Sequence, residues 1–147
     1  MKKIRNGSKR LRLGRVSEAG QIYLVTAVTR DRVPVFEDFH SARLLINTLR
    51  LDASRGSHRT LCYVVMPDHI HWLLQLEQGT LSQLVGRVKS VTAHKLGKPI
   101  WQKGFHDHAL RSEEDIHGTA RYIVANPLRA GLVKRLGDYP HWDAAWL

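Results

Sequence analysis

Hydrophobic positions alternate between two periods along this chain, and the switches mark its elements. Residues 21–30, QIYLVTAVTR, are β-rich and apolar on both alternating faces, which predicts an interior strand. Pro34 breaks the chain. Ala42, Leu45, Ile46, Leu49 and Ala53 then recur at helical spacing across residues 39–54, and Gly56 follows as a stop. Residues 61–66 predict a second strand, Pro67-Asp68 a tight turn, and residues 69–76 a third strand that returns antiparallel. Thr80 opens a second helix with Gln83 in capping-box position. Leu81, Leu84, Val85 and Val88 form its buried stripe, and Gly97 and Pro99 end it. Residues 105–111 predict a fourth strand. Ser112 caps a third helix whose first turn carries Glu113, Glu114 and Asp115, where the helix dipole favours negative charge. That helix should end near Asn126, because Pro127 follows. The order β-α-β-β-α-β-α predicts an α+β fold, a ferredoxin-like antiparallel sheet with packed helices.

The length, 147 residues, suits one domain, and 43% hydrophobic residues is normal for a folded protein. No apolar run reaches the roughly 20 residues that span a bilayer. A basic N-terminus without an apolar stretch is not a secretory signal, so a cytoplasmic location is expected. Cys62 is the lone cysteine, which excludes an internal disulfide and a cysteine-based zinc site.

The net charge of +10 is unevenly placed. Residues 1–15 carry seven basic groups and no acidic one; the rest carry 16 basic and 13 acidic groups. The chain therefore divides into a basic arm, 1–15, and a single domain, 16–147. Such an arm points to a polyanion, above all nucleic acid. A solvated tail or a membrane-surface patch is the bland alternative, but no lipidation motif or basic amphipathic helix accompanies it.

Within MPDHIHWLLQL, strand alternation puts His69, His71, Leu73 and Gln75 on one face and the apolar Ile70, Trp72, Leu74 and Leu76 on the core side. Two imidazoles two residues apart can converge on one divalent ion. They can equally be two polar residues on a solvated face, and two ligands are too few for a working site. A third ligand is offered by the helix that begins at Ser112. Tyr122 lies off the centre of its apolar stripe of Ile116, Ala120, Ile123 and Val124, and Asn126 follows four residues later. The Tyr122 side chain leans back over Thr119 and Gly118, both small, which leaves its phenol room. A tyrosine can act as a covalent nucleophile. A phenol ordinarily titrates near 10, so it needs a cation to polarise the phosphate under attack. The Asn126 amide oxygen can be the third ligand. A rim-packed tyrosine and a helix-capping asparagine are the structural alternative. Tyr23, Tyr63 and Tyr139 are weaker candidates.

VMPDHIHWLL, WQKGFHDHALR and ARYIVANPLRAGL, in this order and spacing, resemble the REP-associated tyrosine transposases, in the single-tyrosine branch of the HUH (His-hydrophobic-His) endonucleases. The opening RLGRVSEAGQIYLVTAVT is similar as well, so the likeness covers roughly residues 10–140. It implies a ferredoxin-like core, His69 and His71 as a metal-binding pair, Asn126 as third ligand and Tyr122 as nucleophile. It further implies Mg2+ or Mn2+ as cofactor, with no small-molecule cofactor. Single-stranded DNA bearing REP hairpins is the implied substrate, cleaved to a 5′-phosphotyrosine and rejoined by a nucleoid-associated protein that resembles the monomeric kind. Arg12 and Arg15 in the arm, Trp101 and Lys103, and Arg129 are candidate DNA contacts. Core packing of Trp101 is as good a reading as base stacking. Asp107 and His108 are candidate supports for a ligand histidine. His40, His58, His94, His117 and His141 show no partner pattern and read as surface. Two other functions compete: a domesticated hairpin-binding protein that no longer cleaves, and a helix-turn-helix regulator of duplex DNA, which the sheet-rich order disfavours.

Overall fold

The computed structural model describes residues 17–145. The basic arm, with Arg12 and Arg15, lies outside them. Five strands, β1 (Ile22–Val28), β2 (His58–Met66), β3 (His69–Leu76), β4 (His106–Leu110) and β5 (Trp142–Ala144), form one antiparallel sheet in the order β4-β1-β3-β2-β5. The helices are α1 (Phe39–Ser54), α2 (Leu81–Leu96), α3 (Glu113–Val124) and the one-turn α4 (Asn126–Arg129). The first four strands and two helices reproduce the split β-α-β arrangement that the hydrophobic pattern predicts. Among the described residues no helix is long and apolar enough to cross a membrane.

Local signals account for the boundaries. Asp38 caps α1 by accepting from Ser41 N at 2.9 Å, and Thr80 and Gln83 form the reciprocal capping box of α2. Gly97, at φ 76, takes the left-handed conformation that closes α2. Ser112 caps α3 through Asp115 N at 3.0 Å. The third helix stops at Val124, two residues before Asn126. Proline has no N–H to donate and crowds the carbonyl four residues back. The chain therefore breaks at Ala125 and restarts as α4, with Pro127 inside its first turn.

Both faces of the sheet are covered, and differently. The closed face packs Tyr23, Val25, Ala27, Tyr63, Val65, Ile70, Trp72 and Leu74 against the stripes of α1 and α2. The other face packs Cys62, Val64, Met66, Leu73 and Leu110 against Ile116, Ala120, Ile123 and Val124 of α3, with β5 adding Ala144. A bulge between Thr60 and Cys62 connects the two arrangements. One extra residue reverses the alternation of β2. It turns His58 and Thr60, level with Leu76 and Leu74, onto the closed face, and it puts Cys62 and Val64 under α3.

Two histidines expected at the surface are interior. His58 is 2% exposed and His141 6%. The ring of His58 uses both nitrogens, Nδ1 with Ser57 Oγ and Nε2 with Thr60 Oγ1, each at 2.9 Å, and meets Trp72 edge-on. Ser57 in turn donates to Asp52, which Arg87 also grips at 2.9 Å. Such a fully connected polar chain satisfies every buried group it contains.

Candidate nucleic-acid cleavage site

The two histidines stand where β3 runs between β1 and β2. His69 is level with Val28 and Met66, and His71 with Thr26 and Val64. Their ring centres are 4.8 Å apart. Each ring spends Nδ1 on a neighbour. His69 Nδ1 meets Asp68 Oδ1 at 2.7 Å, and His71 Nδ1 meets Thr26 Oγ1 at 2.9 Å. Opposite a carboxylate, the Nδ1 of His69 must carry the proton, which makes its Nε2 the electron-pair donor of the neutral ring. Burial alone would raise the Asp68 carboxyl. The hydrogen bond from His69, with the charges of His69 and Arg32, holds it below the usual carboxylate value. Burial, reinforced by the neighbouring His69 and the charge of Arg129, pushes His71 down to about 4. It is thus neutral at physiological pH, the form that binds a metal.

The end of α3 brings the tyrosine to this face. Ile123 and Val124 pack in the same cluster as Val64 and Met66, the β2 residues level with the two histidines. Tyr122, next to Ile123, turns outward and is 63% exposed. Past the break at Ala125, Arg129 folds back over it. The guanidinium carbon lies 3.8 Å from the centre of the Tyr122 ring, and an Arg129 nitrogen donates to Asn126 Oδ1 at 2.8 Å. Asn126 Nδ2 is buried with no hydrogen-bond partner.

If His69, His71 and Asn126 held one ion, the donors would be two imidazole nitrogens with fixed outer partners and one carboxamide oxygen. Imidazole favours transition metals and an amide oxygen the harder ions, so the set fits Mn2+ more readily than Mg2+. No group of three or more His, Cys, Asp or Glu is clustered for a metal among the described residues.

The remaining expected residues fall in different places. His106 and His108 share the face of the histidine pair, and His106, level with Thr26, is the one in the row of His71. Asp107 is level with Val25 and so belongs to the closed face, where it cannot support the pair. The carboxylate that supports His69 is Asp68, which reads in the sequence only as a turn residue. Thr26, hidden in an apolar strand, was equally silent. Asp68-His69 is a sequence-adjacent acid and imidazole, and that adjacency is the signal that could have found it.

Trp101 is half-buried. Its Nε1 donates to Lys89 O at 3.1 Å, its ring packs 5.4 Å from Phe36, and Lys89 Nζ lies 5.8 Å above it. The indole thus serves packing. It nevertheless bridges to Thr29, and Gln102 N donates to Val28 O, which places exposed Lys103 at the same end of the sheet as His69. Exposed Arg30 and Arg32 lie at that end too, and Arg32 reaches Asp68 at 3.3 Å. Asp31 and Arg32 both hold positive φ, at 55° and 57°. Two consecutive non-glycine residues in that region are strained, a feature that concentrates at functional sites.

The sequence matches the IS200-like transposase family over residues 18–125. This chain belongs to the IS200-like transposase family. Among relatives, it is 36% identical over 90 residues to the REP-associated tyrosine transposase of Escherichia coli K12, a match covering 56% of this chain and 54% of that one. A provisionally named REP-associated tyrosine transposase of Haemophilus influenzae Rd is 25% identical over 144 residues, covering 83% of this chain and 78% of that one. The chain thus spans about half the length of the first relative. The fold is similar to that of a REP-associated tyrosine transposase solved bound to a REP hairpin, with a TM-score of 0.78 and 26% identity over 89% of this chain and 81% of the other. The resemblance carried by the three sequence motifs is thereby borne out at the level of family and fold.

Proposed function

We propose that this IS200-like transposase cuts and rejoins single-stranded DNA at REP-type hairpins, with Tyr122 as nucleophile and His69, His71 and Asn126 as ligands of Mn2+ or Mg2+. The observation that carries the reading is the commitment of both Nδ1 atoms, to Asp68 and Thr26, which leaves each imidazole its Nε2. The hairpin as substrate rests on the similar transposase solved with one.

In this reaction the Tyr122 oxygen bonds to the scissile phosphorus and the bond to the 3′ oxygen breaks. That oxygen leaves as a 3′-OH, and the DNA's 5′ phosphate stays on the tyrosine. Attack by a 3′-OH on the phosphotyrosine reverses the step and joins the strands. The number of phosphodiester bonds is conserved, so no nucleotide is consumed. A divalent ion, when bound, supplies charge stabilisation at the phosphate oxygens. Asp68 and Thr26 fix the two rings. The break at Ala125 sets Tyr122 and Asn126 on separate short segments of one turn-linked unit. Lys103, Arg30 and Arg32 at the His69 end, the arm with Arg12 and Arg15, and Arg129 are the phosphate contacts, and each phosphate neutralised adds about 0.7 to the single-strand salt slope.

The test is incubation with a REP-hairpin oligonucleotide and Mn2+, followed by a denaturing gel. A covalent protein–DNA band that disappears in Tyr122→Phe and in His69→Ala is expected. Hairpin binding that survives both substitutions without any band in the wild type would instead identify a non-cleaving binding protein.

A further inference from the structure

Arg129 holds both halves of the proposed chemistry at once, and nothing in the reaction as written requires it to do so. It caps the exposed ring of Tyr122 with its guanidinium and occupies the oxygen of Asn126. The geometry follows from the sequence. Pro127 breaks α3, α4 restarts at Asn126, and Arg129 comes round one turn later on the same side. Ala130 N donates to Asn126 O at 2.9 Å and Arg129 N to Ala125 O at 3.1 Å, so the turn is regular and the side-chain contact is built in.

A carboxamide has a single oxygen. In Asn126 that oxygen is given to Arg129, while Nδ2 is buried with no acceptor. A metal ion can use only the oxygen. A guanidinium hydrogen-bonded to a metal-bound oxygen would also stand within about 5 Å of a second, divalent positive charge. The two cations therefore oppose each other at that oxygen.

We infer that Arg129 is a latch that competes with the metal ion for Asn126 Oδ1, capping Tyr122 in the metal-free protein and uncapping it when the metal binds. The latch rests on the reading of His69, His71 and Asn126 as a metal site. Freed, the guanidinium becomes available to a phosphate beside the tyrosine it had covered. The device keeps one face of the tyrosine ring stacked under a guanidinium until the cofactor is in place.

The competition is read by calorimetric titration of Mn2+ into the full chain, its Arg129→Ala and Asn126→Ala variants, and the double variant. Arg129→Ala should tighten Mn2+ binding about fivefold or more, and should do nothing further once Asn126 is alanine. Equal tightening in both backgrounds means that only a nearby charge was removed, and it overturns the latch. An independent readout uses protein labelled with 3-fluorotyrosine, the Tyr122 resonance being assigned by its loss in Tyr122→Phe. Saturating Mg2+ should move that resonance to its position in metal-free Arg129→Ala. If it does not move, or moves equally in Arg129→Ala, the latch is wrong. Mn2+ binding unaffected by His69→Ala would remove the metal site and the latch together. Binding that needs His69 yet ignores Arg129 would remove the latch alone.

Discussion

Two histidines, one on each face of the same sheet, differ in a single nitrogen. His58, on the closed face, has both ring nitrogens bonded to hydroxyls of its own chain. His71, on the α3 face, spends Nδ1 on Thr26, and no described group is bonded to its Nε2. Burial pushes both down to about 4, so both are neutral at pH 7. The closed-face ring is a satisfied structural element, and the other keeps one nitrogen uncommitted. Exposure and titration alone would not separate them; the count of committed nitrogens does. The same contrast runs through the two faces. One side is an apolar cluster sealed by α1 and α2, and the other is an apolar cluster with a polar row at its edge.

If the faces divide labour in this way, changes on one should be silent in the other's assay. The sharpest case is Tyr122→Phe, which should abolish the covalent DNA adduct while leaving the urea midpoint within about 0.5 kcal/mol of wild type, since the hydroxyl belongs to an exposed side chain. On the closed face, Trp72→Ala should cost about 3–5 kcal/mol by urea unfolding. It empties a fully buried site and removes the indole donor to Thr60 Oγ1, which is left with His58 alone. A residual adduct per folded molecule near the wild-type level is expected there; a specific loss of cleavage would mean the faces are coupled.

Acid should attack the closed face through His58. Burial is the largest cause of its lowered value, with the charge of Arg87 adding to it and that of Asp52 opposing. In the unfolded chain this ring takes a proton near 6.5 and in the fold only near 4. Its contribution is complete above 6.5 and is lost as the pH falls from 6.5 to 4, by up to about 3 kcal/mol. Urea midpoints at pH 7 and 4.5 read this, and His58→Gln should flatten the slope. Asp68→Ala should be smaller in stability but clear in binding, weakening Mn2+ by about 10- to 100-fold in calorimetry through loss of the group that orients His69. An unchanged affinity would make Asp68 a turn residue only. Chelation with EDTA should have the smallest effect on the fold, removing the adduct while lowering the thermal midpoint only by the linkage contribution of the ion, because neither apolar cluster includes His69, His71 or Asn126.

Strand alternation was enough to put His69 and His71 together opposite an apolar row, since a regular strand has only two sides. Helical spacing was enough to put Tyr122 off the buried stripe. The period says nothing about departures from regularity, and those hold the rest. The bulge at Leu61 inverted β2 and buried His58. The break that Pro127 imposes at Ala125 made α4 and brought Arg129 back onto Tyr122. The edge strand β5 is three residues, WDA, too short to carry a period, and its pairing with β2 is set by tertiary contact. Asp68 and Thr26 escaped because an outer hydrogen bond has no spacing rule, and Asp107 was misplaced because only register tells which face it shares.

The central claim is that Tyr122 is the atom source of the protein–DNA bond, and mass spectrometry of the adduct tests it most directly. The wild-type chain would be incubated with a REP-hairpin oligonucleotide and Mn2+, digested with nuclease and trypsin, and its peptides sequenced. A phosphonucleotide on the peptide containing Tyr122, carried by that side chain and by no other, is the predicted result. A phosphonucleotide on any other residue, Tyr139 included, or an adduct that persists in Tyr122→Phe, would contradict it.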